Sequence, residues 1–197
     1  MSISAERPLI AEGVLRDGAV VRLWALPYDD PVAQDLVEQV QQEYVARYGG
    51  RDEAVVDPAE FLPPRGLFLA AEVDGEPVGS GAWRALGDGV AEMKRVYVVP
   101  RLRRRGLAQL IVQTLERGAA ESGCRSLVLN SGAEQPEALR LYEQLGYGPV
   151  PPYGVYACAP DAVFLGKDLV AVAPCSSGRD PVVQGSSDGM EDPTWVS

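Results

Sequence analysis

The residues best suited to chemistry gather in one run of the chain, Glu92-Met93-Lys94-Arg95-Val96-Tyr97-Val98-Val99-Pro100-Arg101-Leu102-Arg103-Arg104-Arg105-Gly106-Leu107-Ala108. Its β-branched and aromatic residues predict a strand, Pro100 stops it, and Gly106 stands where a helix begins. A strand that turns through four arginines into a helix aims successive backbone N–H groups, and the positive end of the helix dipole, at one spot. Phosphate suits that spot. Gly106 has no Cβ to hold an anion off the backbone, and Ala108 is small. The arginines would add charge-assisted hydrogen bonds of about 1.5–3 kcal/mol each. The bland alternative is a surface arginine run with no ligand.

The rest of the composition narrows the menu. A formal net charge of -10 argues against nucleic acid as a partner, so the basic loop is a local exception suited to one small anionic ligand. Histidine is absent, which removes Ser-His-Asp and Cys-His nucleophile systems and speaks against a metal site. Proton chemistry must then use carboxylate, tyrosine, lysine, cysteine or water. Cys124, Cys158 and Cys175 are scattered, odd in number and in no CxxC arrangement, as expected for a reducing cytosol. The first fifteen residues lack a signal-peptide core, and no segment approaches the roughly 18 apolar residues of a membrane span. A soluble, cytoplasmic protein with no membrane partner is expected.

The supporting elements are expected in this order. Residues 1–18 read as a polar arm, and 19–26 as a first strand. A helix starts at Asp29, Asp30 and Pro31 and runs, with Val32, Leu36, Val37, Val40, Tyr44 and Val45 at helical spacing, to Gly49-Gly50. Tyr44 and Tyr48 on it serve either packing or substrate contact. Segment 51–65, with Pro58, Pro63, Pro64 and several acids, reads as a long loop of functional type. Strands at 66–73, from 77 and at 90–99, joined by turns at Asp74-Gly75 and Gly87-Asp88-Gly89, form an antiparallel meander. A helix from Gly106 to Gly123 and a strand at 126–129 follow, and the right-handed crossover makes that strand parallel to the one carrying Val96. A second helix from Pro136 to Gly146 and a last strand at 162–169 complete a mixed α/β domain at 19–170, with a polar tail at 171–197.

Neither Gly-x-x-x-x-Gly-Lys-Ser/Thr nor Gly-x-Gly-x-x-Gly occurs in the arginine turn, which disfavours P-loop and dinucleotide sites. Arg103-x-x-Gly106-x-Ala108 after a valine-rich strand instead resembles the pyrophosphate loop of the GNAT superfamily of acyl-CoA N-acetyltransferases. Downstream, Gln135-Pro136-Glu137-Ala138-Leu139-Arg140-Leu141-Tyr142-Glu143-Gln144-Leu145-Gly146-Tyr147 resembles that family's second signature, Asn-x-x-Ala-x-x-Leu-Tyr-x-x-x-Gly-Phe. Glu-Met-Lys-Arg-x-Tyr-Val and Gln-Pro-Glu-Ala resemble small bacterial members. Arg104 and Ala108 stand where the family often has Gly, and Gln135 where it has Asn.

The resemblance implies a GNAT-like, mainly antiparallel sheet flanked by helices, with a splayed parallel strand pair at the CoA site. It implies acetyl-CoA as acyl donor and no metal. Arg103, Arg104, Arg105, Gly106, Leu107 and Ala108 would hold the pyrophosphate. The pantetheine arm would pair with the backbone of Val96 and Val98, beside Tyr97, and Gln135 and Ala138 would complete the cofactor-binding set. Asn130 either hydrogen-bonds CoA or caps a bend. Tyr142 would protonate or hydrogen-bond the leaving thiolate, its alternative being a core tyrosine. Glu92 shares strand parity with Val96 and Val98 and would serve as general base, or else pairs with Lys94 or an arginine across the sheet. Lys94 and Arg95 could bind a substrate carboxylate, but as strand neighbours they should face opposite sides, so a paired surface role is expected for at least one. Substrate selection would fall to the first helix, loop 51–65, Trp83 and segment 153–156.

The expected activity is transfer of an acetyl group from acetyl-CoA to a primary amine of a small molecule by direct attack in a ternary complex. The alternatives are acetylation of a protein lysine or N-terminus, and a non-catalytic acyl-CoA-binding module. A homodimer is left open.

Overall fold

The computed structural model describes residues 7–52 and 54–169. The tail expected at 171–197 lies outside the described residues, as do residues 1–6 of the arm. Eight strands form one sheet: β1 (Leu9–Val14), β2 (Val20–Leu26), β3 (Gly66–Val73), β4 (Glu76–Gly87), β5 (Val90–Val98), β6 (Ser126–Gly132), β7 (Gly148–Pro149) and β8 (Ala162–Asp168). Their spatial order is β1-β2-β3-β4-β5-β6-β8-β7, and every neighbouring pair is antiparallel except β5 and β6. Three helices flank it: α1 (Pro31–Tyr48), α2 (Leu107–Glu121) and α3 (Pro136–Gln144). The expected mixed, mainly antiparallel sheet with one parallel pair is what the chain forms.

One correction concerns the N-terminal arm. Residues 9–14 are a strand at the sheet edge, paired with β2 from Leu9 opposite Trp24 to Val14 opposite Val20. Leu9, Ile10 and Val14 stay largely exposed, so the strand lacks the buried alternation by which a strand is recognised. Backbone pairing with β2 holds it in place.

α1 begins where Asp30 accepts a hydrogen bond from the Val32 N–H at 2.8 Å, with Pro31 as first helical residue. It ends at Gly49, whose φ of 75° ends the helix in a left-handed cap. Asp30→Ala should lower unfolding free energy by about 1 kcal/mol, read as a lower urea midpoint. Leu36, Val37 and Val40 of α1 pack with Phe68, Ala70, Ala82 and Tyr97 on one face of the sheet. The other face carries Leu69, Trp83, Met93 and Val98 beneath Leu107, Ile111 and Leu115 of α2, with Leu139 and Leu145 of α3 packed against the same cluster. At Gly81 a Cβ would lie 2.5 Å from Ile111 Cγ2, so the missing side chain lets α2 approach β4 closely. That approach sets the position of the loop leading into α2.

Two irregularities make the site. β5 and β6 pair only from Val90 opposite Ser126 to Glu92 opposite Val128, and no pairing follows. Beyond Glu92 the strands part. On its other side β5 is bulged against β4: Ser80 to Ala82 is matched by Tyr97 back to Lys94, one residue more. Arg95 sits in the bulge at φ 58°, and the Ser80 hydroxyl donates to its carbonyl at 2.9 Å.

Candidate active site

The parting of β5 from β6 opens a cleft of about 710 Å³, floored by β5 residues 93–98 and bounded by α1, the arginine turn, α3 and segment 159–162. Eight Lys and Arg residues line it against four carboxylates, although the chain as a whole is strongly acidic. That excess attracts an anionic ligand.

The arginine turn forms as a short 3-10 turn, Pro100–Leu102, followed by two residues in the left-handed region, Arg104 at φ 65° and Gly106 at φ 93°. Gly106 is the N-cap of α2 and supplies no side chain to its first N–H groups. Those donors are therefore available to an anion. Arg103 donates through Nε to the Val98 carbonyl at 2.9 Å, pairs with Glu43 of α1, and lies 5.9 Å over the Tyr97 ring. Burial raises the Glu43 carboxyl, but Arg103 and Arg47 more than offset it, and the net shift is downward.

Of the residues expected to bind cofactor, Val96, Tyr97, Val98, Arg103, Arg104, Gly106, Leu107, Ala108, Asn130, Gln135 and Ala138 all line the cleft. Arg105 does not; its guanidinium is held by Asp17. Tyr142 lines the cleft too, 7% exposed and edge-on to Tyr147 at 5.6 Å, and burial pushes its phenol well above the usual range.

Glu92 is not brought to the cleft. Arg84 Nε and Nη2 reach Glu92 Oε2 at 2.9 and 2.8 Å, Lys94 Nζ lies 3.5 Å from Oε1, and Arg84 also pairs with Glu60 at 2.5 Å. The shared parity of Glu92 with Val96 and Val98 is overturned by the bulge. Lys94 is opposite Ala82, on the α1 face with Glu92, whereas Val98 packs on the α2 face. The extra residue at the bulge inverts the alternation between them.

The same bulge corrects the expectation for Lys94 and Arg95. Both are buried, at 9% and 5% exposure, and both line the cleft. Arg95 pairs with Asp52, whose Oδ1 accepts from the Tyr156 hydroxyl at 2.5 Å and the Ala54 N–H at 3.0 Å. Burial works to raise the Asp52 carboxyl, yet Arg95 and these donors hold it below its ordinary value. The Asp52 backbone is clasped by the Gln41 amide at 2.9 and 3.3 Å. Loop 51–65, β5 and segment 153–156 thus meet at one carboxylate, which the acid-rich loop foreshadowed without identifying. Trp83, expected at the substrate, is 1% exposed and belongs to the core under α2.

α1 crosses the cleft mouth. Arg47 donates to the Glu134 carbonyl at 2.8 Å and pairs with Glu137 at 2.5 Å, while Glu43 holds Arg103 on the opposite lip. Tyr48 lies so close to Gly132 that a Cβ there would be 2.1 Å from its hydroxyl. Burial pushes the neighbouring Tyr44 phenol up to about 12.

Comparisons with known proteins agree with this geometry. The family model described as Acetyltransferase (GNAT) family matches residues 32–147. An IAA acetyltransferase of Azospirillum brasilense is 28% identical over 144 residues, covering 73% of this chain and 94% of that protein. An uncharacterised N-acetyltransferase of Schizosaccharomyces pombe is 30% identical over 148 residues, covering 71% of this chain and 90% of its own length. Among solved structures, an Elizabethkingia anophelis GNAT family acetyltransferase with acetyl-CoA bound superposes with a TM-score of 0.55 over 76% of this chain and 98% of that one. At 14% identity the last likeness is one of fold.

Proposed function

Because the chain belongs to the GNAT family of acetyltransferases, we propose that it transfers an acetyl group from acetyl-CoA to a primary amine of a small molecule, by direct attack within a ternary complex. The observation that carries the reading is the cleft between β5 and β6, closed on one side by the arginine turn and crossed by α1. Positive φ at Arg104 and Gly106, the α2 N-terminus without a side-chain cap, and the cationic lining fit a pyrophosphate. Acetyl-CoA supplies the acyl thioester.

The residues then divide the work. Arg103, Arg104, Gly106, Leu107 and Ala108 hold phosphate, and the β5 backbone at Val96 and Val98, freed from β6, binds the pantetheine arm as an added strand. Tyr97, Asn130, Gln135 and Ala138 bound the same channel. Arg105 contributes through its tie to Asp17. A backbone N–H near Val98 faces the acyl oxygen as charge develops on it. The acceptor nitrogen bonds to the acyl carbon, the carbon–sulfur bond breaks, and the thiolate leaves beside the Tyr142 hydroxyl. A phenol raised by burial shares its proton with the sulfur more readily than it surrenders it, so Tyr142 acts as a hydrogen-bond donor. The contacts of Glu92 with Arg84 and Lys94 favour the role of ion-pair partner over that of base. It holds Lys94 at the cleft floor, and the amine proton passes to water.

Two observations support a small acceptor and direct transfer. α1 ties together both lips of the cleft through Arg47–Glu137 and Glu43–Arg103, a crossing that favours a small acceptor over an extended peptide. No cysteine among the described residues lines the cleft, which favours direct transfer over an acyl-cysteine. The test is thiol release from acetyl-CoA and longer acyl-CoAs across a panel of small amines and of peptides. Turnover is expected with a small primary amine, with initial-rate lines that intersect. Turnover confined to peptides, or parallel lines, would sink the acceptor class or the ternary route respectively.

A further inference from the structure

We propose that Arg16, in the turn between β1 and β2, is a phosphate-binding residue of this cleft, a contact that neither signature motif contains. The inference rests on reading the cleft as an acyl-CoA site. The turn is fastened to the arginine loop by two contacts: the Arg16 N–H donates to the Arg105 carbonyl at 3.0 Å, and Asp17 pairs with the Arg105 guanidinium. The consequence is an exchange of cations. Arg105 is engaged by Asp17 and does not line the cleft, whereas Arg16 does, its Cγ and Nε 3.9 Å from where a Cβ on Gly106 would stand.

The cations around the turn are not equivalent. Arg101 pairs with Glu76, Arg103 with Glu43 and Arg105 with Asp17. Arg16 and Arg104 have no carboxylate partner among the described residues, and both line the cleft beside Gly106, at the α2 N-terminus that lacks a side-chain cap. Two uncommitted guanidinium groups beside free backbone donors form a site for a phosphate dianion. CoA carries that chemistry in its pyrophosphate and in its 3′-phosphate.

Calorimetric titration of the full chain with CoA and with 3′-dephospho-CoA tests the assignment. Arg16→Gln keeps the backbone donor and removes the charge at an exposed position; it should raise the Kd for CoA about tenfold, and Arg16→Glu should raise it further. Arg16→Lys should restore most of the affinity. An equal penalty with both ligands assigns Arg16 to the pyrophosphate, and a penalty seen only with CoA assigns it to the 3′-phosphate. Unchanged Kd values for CoA in both the Gln and Glu variants would overturn the role of Arg16 alone. A wild-type chain that binds no CoA would overturn the acyl-CoA reading and Arg16 with it.

Discussion

Tyr142→Phe is expected to lower kcat about 100-fold while leaving the KM for acetyl-CoA within about a factor of two. The phenol is 7% exposed, lines the cleft and is pushed upward by burial. A phenol raised in this way stays protonated past its ordinary range, so it remains a donor to sulfur there. The sign of the shift therefore gives a second expectation: the kcat profile should show no falling limb at the ordinary phenol value of about 10. The ring keeps its edge contact with Tyr147 in the phenylalanine variant, so stability should change little. A variant that turns over at the wild-type rate would make Tyr142 a packing residue.

How far the chain can be read without its coordinates depends on whether a feature is local. The meander from Gly66 to Val98, the helix boundaries and the arginine turn are local, written in hydrophobic runs punctuated by Gly, Pro and Asp. The bulge at Arg95 is not. It is held by a hydroxyl fifteen residues away, on Ser80, and no spacing rule within β5 announces it. Two mistaken expectations follow from that one residue: that Glu92 shares a face with Val96 and Val98, and that Lys94 and Arg95 point apart. The position of Arg16 is non-local in the same way. Its place in the cleft depends on a hairpin whose first strand is exposed, and on the Asp17–Arg105 contact across 88 positions of sequence. Nor does sequence locate Trp83, because an aromatic side chain on a strand suits a core and a binding wall equally.

Arg84→Met tests what Glu92 is for, and it should lower the unfolding free energy by about 3–5 kcal/mol. In the native chain the Glu92 carboxylate, 5% exposed, accepts a hydrogen bond from Arg84 Nε at 2.9 Å and pairs with its Nη2 at 2.8 Å, with Lys94 at 3.5 Å and the Tyr153 phenol also beside it. Removing Arg84 leaves a buried carboxylate with one distant cation. Glu60, a third exposed, can be solvated in its place. A buried charge left without its partner costs far more than the pair contributes, because the desolvation already incurred is no longer offset. Replacing both partners removes that carboxylate but leaves the buried Lys94 without its own, so Arg84→Met with Glu92→Met should recover only part of the loss in urea denaturation. Glu92→Gln separates the two roles directly. An ion-pair partner that holds Lys94 predicts lower stability and a modest change in kcat, with the pH dependence of kcat retained. A general base predicts near-native stability, a kcat reduced about 100-fold or more, and loss of the rising acid limb. The contacts of Glu92 favour the first outcome, since its carboxylate is engaged by two cations and does not line the cleft.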